Sequence, residues 1–264
     1  MAIVVSALSQ GLLWSVLAVG VYLSYRFLNI SDLTSEGSFT LGAAVCASNI
    51  VRGTDPLLSC LLALIAGALA GLVTGVLHTK FKMPSLLAGI LSMTGLYSIN
   101  LRIMGKANIP LTQSVTLLTK LKNVLGLTRD RDAAIYLGLI VVIILIILLV
   151  WFFNTEFGFS VVATGNNDKM IRANGVDSDK TIIAGLILSN ALIALSGSLV
   201  AQYNGYADVT MGIGAIVVGS IIYRLIVTFV VNTNFISAND MKLFTAIVVA
   251  VAIIIANKGG KKRV

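Results

Sequence analysis

Long apolar stretches separated by short polar loops dominate this chain. Each stretch is close to the 20 or so residues that a helix needs to cross about 30 Å of hydrocarbon. The pattern predicts spans over Gly11–Ile30, Leu57–Leu77, Pro84–Leu101, Ala133–Phe153, Thr181–Tyr203 and Met241–Ala256, with Gly212–Val231 ambiguous. The runs do not alternate, which excludes a β-barrel, and helices satisfy their own backbone groups in lipid. We therefore predict an all-α, polytopic transmembrane bundle that forms a single domain over residues 1–264.

Two shorter segments fit helices that do not cross the bilayer. Phe39–Val51 predicts a half-length helix, introduced by the polar stretch Ser31–Ser38. Within Leu111–Leu127 the apolar residues share one helical face, which predicts a helix lying on the membrane surface. That face is formed by Leu111, Val115, Leu118, Leu121, Val124 and Leu125. We therefore expect broken or peripheral helices beside the spanning ones.

A weak internal repeat runs through the sequence. Gly11–Ser15 opens a span that breaks at Asp32–Thr34, and Gly185–Ser189 opens a later part that breaks at Asp208–Thr210. Transporters built from repeats place glycine-broken helices at corresponding points of their halves, where unwound backbone faces the substrate path. Chance similarity between apolar segments is the alternative explanation.

Polar residues near these breaks and inside the spans are candidates for a translocation path, because charged and amide groups are costly in a bilayer. We expect the carboxylates at the two breaks to lie in the outer half of a central cavity. Helix capping is the alternative role for these carboxylates, and interhelical hydrogen bonding is the alternative for the amides. The candidates are Asp32, Thr34, Glu36, Ser38, Asn190, Gln202 and Asp208.

Small residues on one predicted span indicate helix packing. Ala63, Gly67, Gly71 and Gly75 recur at intervals of four, so they form one stripe along which a second helix can approach closely. The span Ala133–Phe153 lacks such a stripe and carries Trp151 at its end. We therefore expect that span to face lipid.

Composition excludes several classes of protein. With 57% hydrophobic residues, 11% charged residues and a mean hydropathy of +0.96, the chain is far more apolar than a soluble domain. The net charge of +8 is spread over short loops and a basic C-terminal tail, which fits a membrane protein and not a nucleic-acid-binding one.

Few residues offer catalytic or metal-binding chemistry. His78 is the single histidine and is assigned an interfacial position at the end of a span, while Cys46 and Cys60 are interpreted as small buried hydrophobes. The sequence provides no metal-ligand cluster and no histidine-based acid–base pair. We therefore expect no metal, no cofactor and no intramembrane enzyme.

The most distinctive polar segment is Glu156–Lys180, which lies between two spans and fits a surface for a soluble partner. Its run ATGNNDKMIRANGVDSDK, followed by GLILSNALIALSGSLVAQYNGYADVTMGIGAIVVG, resembles permease subunits of type II ABC importers, in the branched-chain amino acid and ribose permease superfamily. The stretches SYRFLNISDLTSEGSFTLGAAV and KMPSLLAGILSMTGLYSINLRIMGKANIPL are similar to a subgroup of tryptophan, tyrosine or related amino-acid permeases.

The resemblance implies a membrane subunit of an ATP-driven importer for a small solute, an amino acid in that subgroup. It implies a homodimer in the cell membrane, a cytoplasmic pair of ATPase subunits and an extracytoplasmic substrate-binding protein, with no enzymatic activity in this chain. A cytoplasmic segment over residues 155–180 would hold a coupling helix that contacts the ATPase. Its residues would be Thr164, Gly165, Asn166, Asn167, Asp168, Lys169, Met170, Ile171, Arg172, Ala173 and Gly175. The alternative is an ion-coupled secondary transporter or channel, which needs carboxylates inside the spans.

The sequence departs from this pattern at one junction. We expect about 30 further residues in relatives between Gly219 and Ser220, enough for the end of one span and the start of another. If residues 212–219 enter as a half-helix and 220–231 return, the last span delivers the basic tail to the cytoplasm, as the positive-inside bias favours.

Overall fold

The computed structural model describes residues 2–127 and 129–209, with side chains from Val5 onward. The helices are α1 (Ala2–Tyr22), α2 (Thr34–Val51), α3 (Pro56–Thr79), α4 (Ser85–Met104), α5 (Leu117–Leu125), α6 (Asp130–Phe153), α7 (Glu156–Asn166), α8 (Asp168–Ala173) and α9 (Ser178–Asn204). A π-helical turn, Leu23–Phe27, follows α1 directly. Two short strands, β1 (Asn108–Pro110) and β2 (Tyr206–Asp208), pair in antiparallel fashion.

The all-α membrane-bundle prediction is confirmed. Five helices of the described part are long and apolar enough to cross a membrane: Val5–Phe27, Pro56–Thr79, Ser85–Met104, Asp130–Phe153 and Ser178–Asn204. They correspond to the first five predicted spans. The predicted spans Gly212–Val231 and Met241–Ala256, and the junction at Gly219, lie outside the described residues.

Two predicted boundaries are wrong. The first span begins nearer the N-terminus than Gly11 and ends at Phe27, where a wide π turn replaces the α-helix. The half-length helix predicted over Phe39–Val51 is an 18-residue helix that begins at Thr34. The polar residues after Asp32 therefore form the first turn of α2, because their hydroxyls find partners inside the bundle.

The helices define two ends of the bundle. At the hairpin end, β1 pairs with β2, the backbone N–H of Leu111 donates to the carbonyl of Gly205 (2.7 Å), and Lys120 pairs with Asp55. At the other end, which we call the α8 end, α7 and α8 lie beside the end of α3 and the start of α9. The rings of Phe27 and Phe153 meet there, with centroids 4.6 Å apart.

Helix α9 is the central element. Along it, a methyl group added at Gly42 of α2 would overlap the Ala194 carbonyl, and one added at Gly71 of α3 would overlap the Leu186 carbonyl. Gly67 and Gly75 of α3 face α9 in the same way, so the predicted packing stripe is confirmed. Only glycine lets the backbones approach this closely in lipid, where no hydrophobic effect draws helices together.

Two other predicted helices are exposed to different degrees. Most large side chains of α6 are exposed, among them Ile147 and Trp151, as expected for a lipid-facing span. Helix α5 is shorter than the predicted Leu111–Leu127, but its apolar residues lie on one face of the helix, as predicted, and only part of that face is covered. Leu118 packs against Ala133 and Ala134 of α6, whereas Val124 is exposed.

The close approach of α2 to α9 can be tested at Gly42. We expect Gly42→Ala to push the helices apart and to lower the free energy of unfolding by about 1–3 kcal/mol. Gly95→Ala on α4 is the matched control, since no atom lies within 4 Å of the added methyl group. Thermal unfolding in detergent compares the two, and an unchanged melting temperature for Gly42→Ala would contradict the packing described.

Candidate functional site

The start of α2 lies inside the bundle, not at its edge. The Asp32 carboxylate accepts a hydrogen bond from the backbone N–H of Thr34 (Oδ1, 2.9 Å), and Ser35 Oγ donates to the Asp32 carbonyl (2.7 Å). Asp32 also contacts Asn190, which lies about 18 Å along α9 from the first residue of that helix. Asp32 thus satisfies the backbone N–H of the first residue of α2, while Leu33 occupies the N-cap position itself.

The Asn190 side chain joins α2 to α9. Its amide nitrogen donates to Asp32 Oδ2 (2.7 Å) and to the Leu186 carbonyl (3.0 Å), and its Oδ1 accepts from Ser38 Oγ (2.6 Å). Asn190 and Ser38 are completely buried. Both amide hydrogens of Asn190 are therefore used within the protein, as expected for an interhelical bond.

A second polar cluster fixes the same end of α2 to α3 and α4. The hydroxyls of Thr34 and Thr74 are 2.8 Å apart, and that of Thr74 lies 2.8 Å from the Ser92 hydroxyl. On α4, Asn100 Nδ2 donates to the Gly37 carbonyl (3.3 Å). Sequence reasoning missed Thr74, Ser92 and Asn100, although their polarity inside apolar spans was a usable signal.

The predicted path residues separate into two groups. Asp32, Thr34, Glu36 and Ser38 lie in or just before the first turns of α2, beside Asn190, and Glu36 is half-buried. Gln202 and Asp208 lie at the hairpin end, and Gln202 is about 18 Å further along α9 than Asn190. Asp208 lies in β2 at the hairpin end, whereas Asp32 contacts Asn190 near the middle of α9, so the two carboxylates lie at different depths.

Gln202 has a packing role. Its Oε1 accepts the backbone N–H of Leu117 at the start of α5 (2.8 Å), and its amide nitrogen lies within hydrogen-bonding distance of two cysteine sulfurs. The side chain is 3% exposed. Both the oxygen and the nitrogen of its amide group therefore bond to neighbouring protein groups.

The segment over residues 155–180 combines inward-facing anchors with an outward-facing surface. Thr164 is buried, with its hydroxyl 2.8 Å from that of Thr181, and Gly165 packs against the Phe27 carbonyl. Ile171 is also buried. Among the predicted coupling residues, the exposed ones are Asn166, Asn167, Asp168, Lys169, Met170, Arg172, Ala173 and Gly175. Sequence pattern could not separate the two groups, because the chain turns between α7 and α8.

Ion pairs connect α8 to two long helices. Arg172 pairs with Asp168 (3.1 Å) and with Asp179 on α9 (2.6 Å), and Asp179 also pairs with Lys80 at the end of α3 (3.4 Å). The Ser178 hydroxyl and the Arg172 guanidinium hold the pKa of Asp168 below its ordinary value. These pairs lie at the surface and add little stability. Because its pKa is lowered, Asp168 keeps its charge to a lower pH than an ordinary aspartate, and its pair with Arg172 is lost only as the pH falls through that lowered pKa.

The loop between α3 and α4 is held beside α8. His78 Nδ1 lies 2.8 Å from the Met83 carbonyl, and Lys82 adopts a left-handed conformation (φ 54°). This loop leaves Phe81 70% exposed. His78 therefore has a specific structural contact.

Within residues 2–127 and 129–209, no group of three His, Cys, Asp or Glu residues could hold a metal ion.

Comparison with known proteins identifies the family. Residues 3–262 match the family described as the permease component of the branched-chain amino acid transport system. The chain belongs to this family. The permease is thus a multi-pass integral protein of the cell membrane and a component of a transport system, and family members of this kind are not enzymes.

Individual relatives agree with this assignment. The permease is 39% identical to a tyrosine transport system permease protein of Clostridioides difficile (strain R20291), over 93% of this chain and 88% of the relative. It is 37% identical to an uncharacterized protein of Rickettsia prowazekii (strain Madrid E), over 83% and 75% of the two chains. It is 30% identical to the autoinducer 2 import system permease protein LsrC of Yersinia pseudotuberculosis, over 75% of this chain and 54% of LsrC. No solved structure matches the permease.

The role of Asn190 in the permease can be tested by a double-mutant cycle. We expect Asn190→Ala to lower the free energy of unfolding by about 1–3 kcal/mol, because Asp32 loses a partner inside the bundle. Combination with Ser38→Ala should give a coupling energy of about 0.6–1.7 kcal/mol, the range found for membrane hydrogen bonds. Thr94→Ala is the control, since its exposed hydroxyl bonds only its own helix. Strict additivity of the Asn190 and Ser38 variants would contradict the bond described.

Proposed function

We propose that this permease is the membrane subunit of an ATP-driven importer for an amino acid or a similar small solute. The observation that carries the proposal is the short helix α8, which presents polar side chains outward while its flanks are anchored to α1, α3 and α9. Coupling to an ATPase requires a segment that a partner can reach and that is connected to the spanning helices. The names of the Clostridioides difficile and Yersinia relatives support transport of an amino acid and import, respectively.

The contact surface for the ATPase is formed by the exposed residues of α8 and by the neighbouring loop between α3 and α4. Lys169 and Met170 project from α8, and Met170 is 51% exposed. Arg172, Asp179 and Lys80 connect this surface to α9 and α3. A displacement of α8 by the ATPase would therefore act on two long helices at once.

The proposal places the α8 end in the cytoplasm. Among the described residues, basic side chains divide almost evenly between the two ends, so the positive-inside bias of these loops does not select an orientation. The α8 end carries Arg26, Lys80, Lys82, Lys169, Arg172 and Lys180, and the hairpin end carries Arg52, Arg102, Lys106, Lys120, Lys122, Arg129 and Arg131. The orientation follows from the assignment of α8 to a cytoplasmic ATPase. The hairpin end then faces the substrate-binding protein, and a second copy of the permease completes the pore.

An ion-coupled secondary transporter is the second candidate, and Asp32 is the observation that favours it. Its carboxylate lies at membrane depth, where carboxylates of ion-coupled carriers act. Here, however, Asp32 accepts hydrogen bonds from Thr34 and Asn190, which stabilise the start of a helix. The ATP-driven mechanism therefore accounts for more of the structure.

The coupling role can be tested by variants on the outer surface of α8. We expect Lys169→Ala/Met170→Ala to leave folding unchanged but to reduce solute-stimulated ATP hydrolysis at least several-fold, because partner contacts are lost. Asp168→Ala/Arg172→Ala should also uncouple hydrolysis from transport, and should additionally loosen α8 from α9. Ile147→Ala is the control, as an exposed apolar residue on the lipid-facing helix α6.

The measurement uses proteoliposomes that contain the permease, the ATPase and the substrate-binding protein. Uptake that requires ATP and continues when ionophores abolish the ion gradients fits the proposal. Uptake driven by an ion gradient without ATP would instead establish the second candidate. Normal coupling in both double variants would exclude α8 as the contact with the ATPase.

The translocation path is proposed to pass the start of α2. Glu36 is half-buried there, so we expect the Glu36→Cys variant to react with a membrane-impermeant maleimide in at least one nucleotide state. Ser38→Cys is the matched control, because Ser38 is fully buried against Asn190 and should stay protected. Protection of Glu36→Cys in every nucleotide state would show that this end of α2 is packed and does not line a path.

A further inference from the structure

Two thiols meet at the hairpin end of the bundle. Cys46 lies near the end of α2 and Cys60 near the start of α3, and the two helices are joined by residues 52–55. Both cysteines are free, and they are 0% and 3% exposed. Because α2 and α3 run in opposite directions, residues at similar distances from their connection lie at the same depth.

A single amide holds both sulfurs. The nitrogen of Gln202 lies 3.3 Å from Cys46 Sγ and 3.0 Å from Cys60 Sγ. A primary amide carries two hydrogens, so one N–H can donate to each sulfur. Ser198 Oγ also donates to Cys60 Sγ (3.4 Å). The thiols are thus oriented toward a common point between α2, α3 and α9.

Neighbouring thiols on different elements can be joined by oxidation. We propose that Cys46 and Cys60 form a redox-active pair that is oxidised to an intramolecular disulfide by a lipid-soluble quinone. Both S–H bonds break and one S–S bond forms, while the two electrons and two protons reduce the quinone to its quinol. A lipid-soluble oxidant suits this position, since the thiols are buried among helices and α3 exposes Leu57 and Leu61, three residues before and one residue after Cys60, at 58% and 50%.

The disulfide would fix the end of α2 to the start of α3. It closes a short loop, and both sulfurs already lie within 3.3 Å of the Gln202 amide nitrogen. We therefore expect oxidation to raise the melting temperature by several degrees and reduction to reverse this change. Neither readout depends on the transported solute or on the ATPase.

The experiment uses the full chain in lipid nanodiscs, treated with a short-chain ubiquinone analogue. Remaining thiols are blocked with N-ethylmaleimide in SDS, and the chain is digested with trypsin. Arg52 is the one basic residue between the cysteines, so residues 27–52 and 53–80 form separate tryptic peptides with one cysteine each. We expect free thiols to fall from two to zero per chain. Mass spectrometry should detect the two peptides linked, and dithiothreitol should separate them.

Two controls make the result specific to this geometry. Cys60→Ser should give no linked peptide. Cys46→Ala/Ala47→Cys moves the thiol by one residue, about 100° around α2, and should not form the link efficiently. The proposal is overturned if both wild-type thiols remain free after quinone treatment or if the link forms between chains. It is also overturned if the displaced cysteine is oxidised as fast as Cys46.

Discussion

The hydrogen bonds of Asn190 set the position of α2, and much of the bundle depends on that position. A helix that begins inside a membrane protein leaves backbone N–H groups without partners in its first turn, and lipid supplies none. Asp32 satisfies one such group and is itself held by Asn190. With this end fixed, the glycines of α2 and α9 each lie opposite the backbone of the other helix. Gly42 of α2 packs against the Ala194 carbonyl, and Gly197 of α9 packs against the Phe39 carbonyl.

The sequence predicted the arrangement of spanning helices better than it predicted the side-chain contacts between them. Five spans and the glycine stripe of α3 were predictable, because hydrophobic length and small-residue spacing are properties of one helix. The start of α2 was not, because Thr34, Gly37 and Ser38 resemble a polar loop until their partners on α3, α4 and α9 are known. Asp32 and Asp208 likewise lie at different depths, since a repeat in sequence does not fix the depth that a loop occupies.

The segment around α8 shows the same limit at the candidate site. Its polar composition correctly marks it as distinct from the spans, but composition cannot tell which side chains point outward. Thr164 bonds to Thr181 of α9, Gly165 packs against the π-helical turn at Phe27 and Ile171 is buried, whereas Lys169 and Met170 are exposed. The inward group gives the segment a rigid attachment, and the outward group gives it a surface. A segment that transmits force between two proteins needs both.

The central place of α9 has a consequence for the order in which the protein is made. Helix α9 is the last of the five described spanning helices to leave the ribosome, yet α1, α2 and α3 all pack against it. Until it inserts, the glycine faces of α2 and α3 have only lipid beside them. Helix α2 is not among the helices apolar enough to cross a membrane alone. Its contacts with α9 therefore form only after residues made some 140 positions later have been synthesised, so this part of the bundle is completed late.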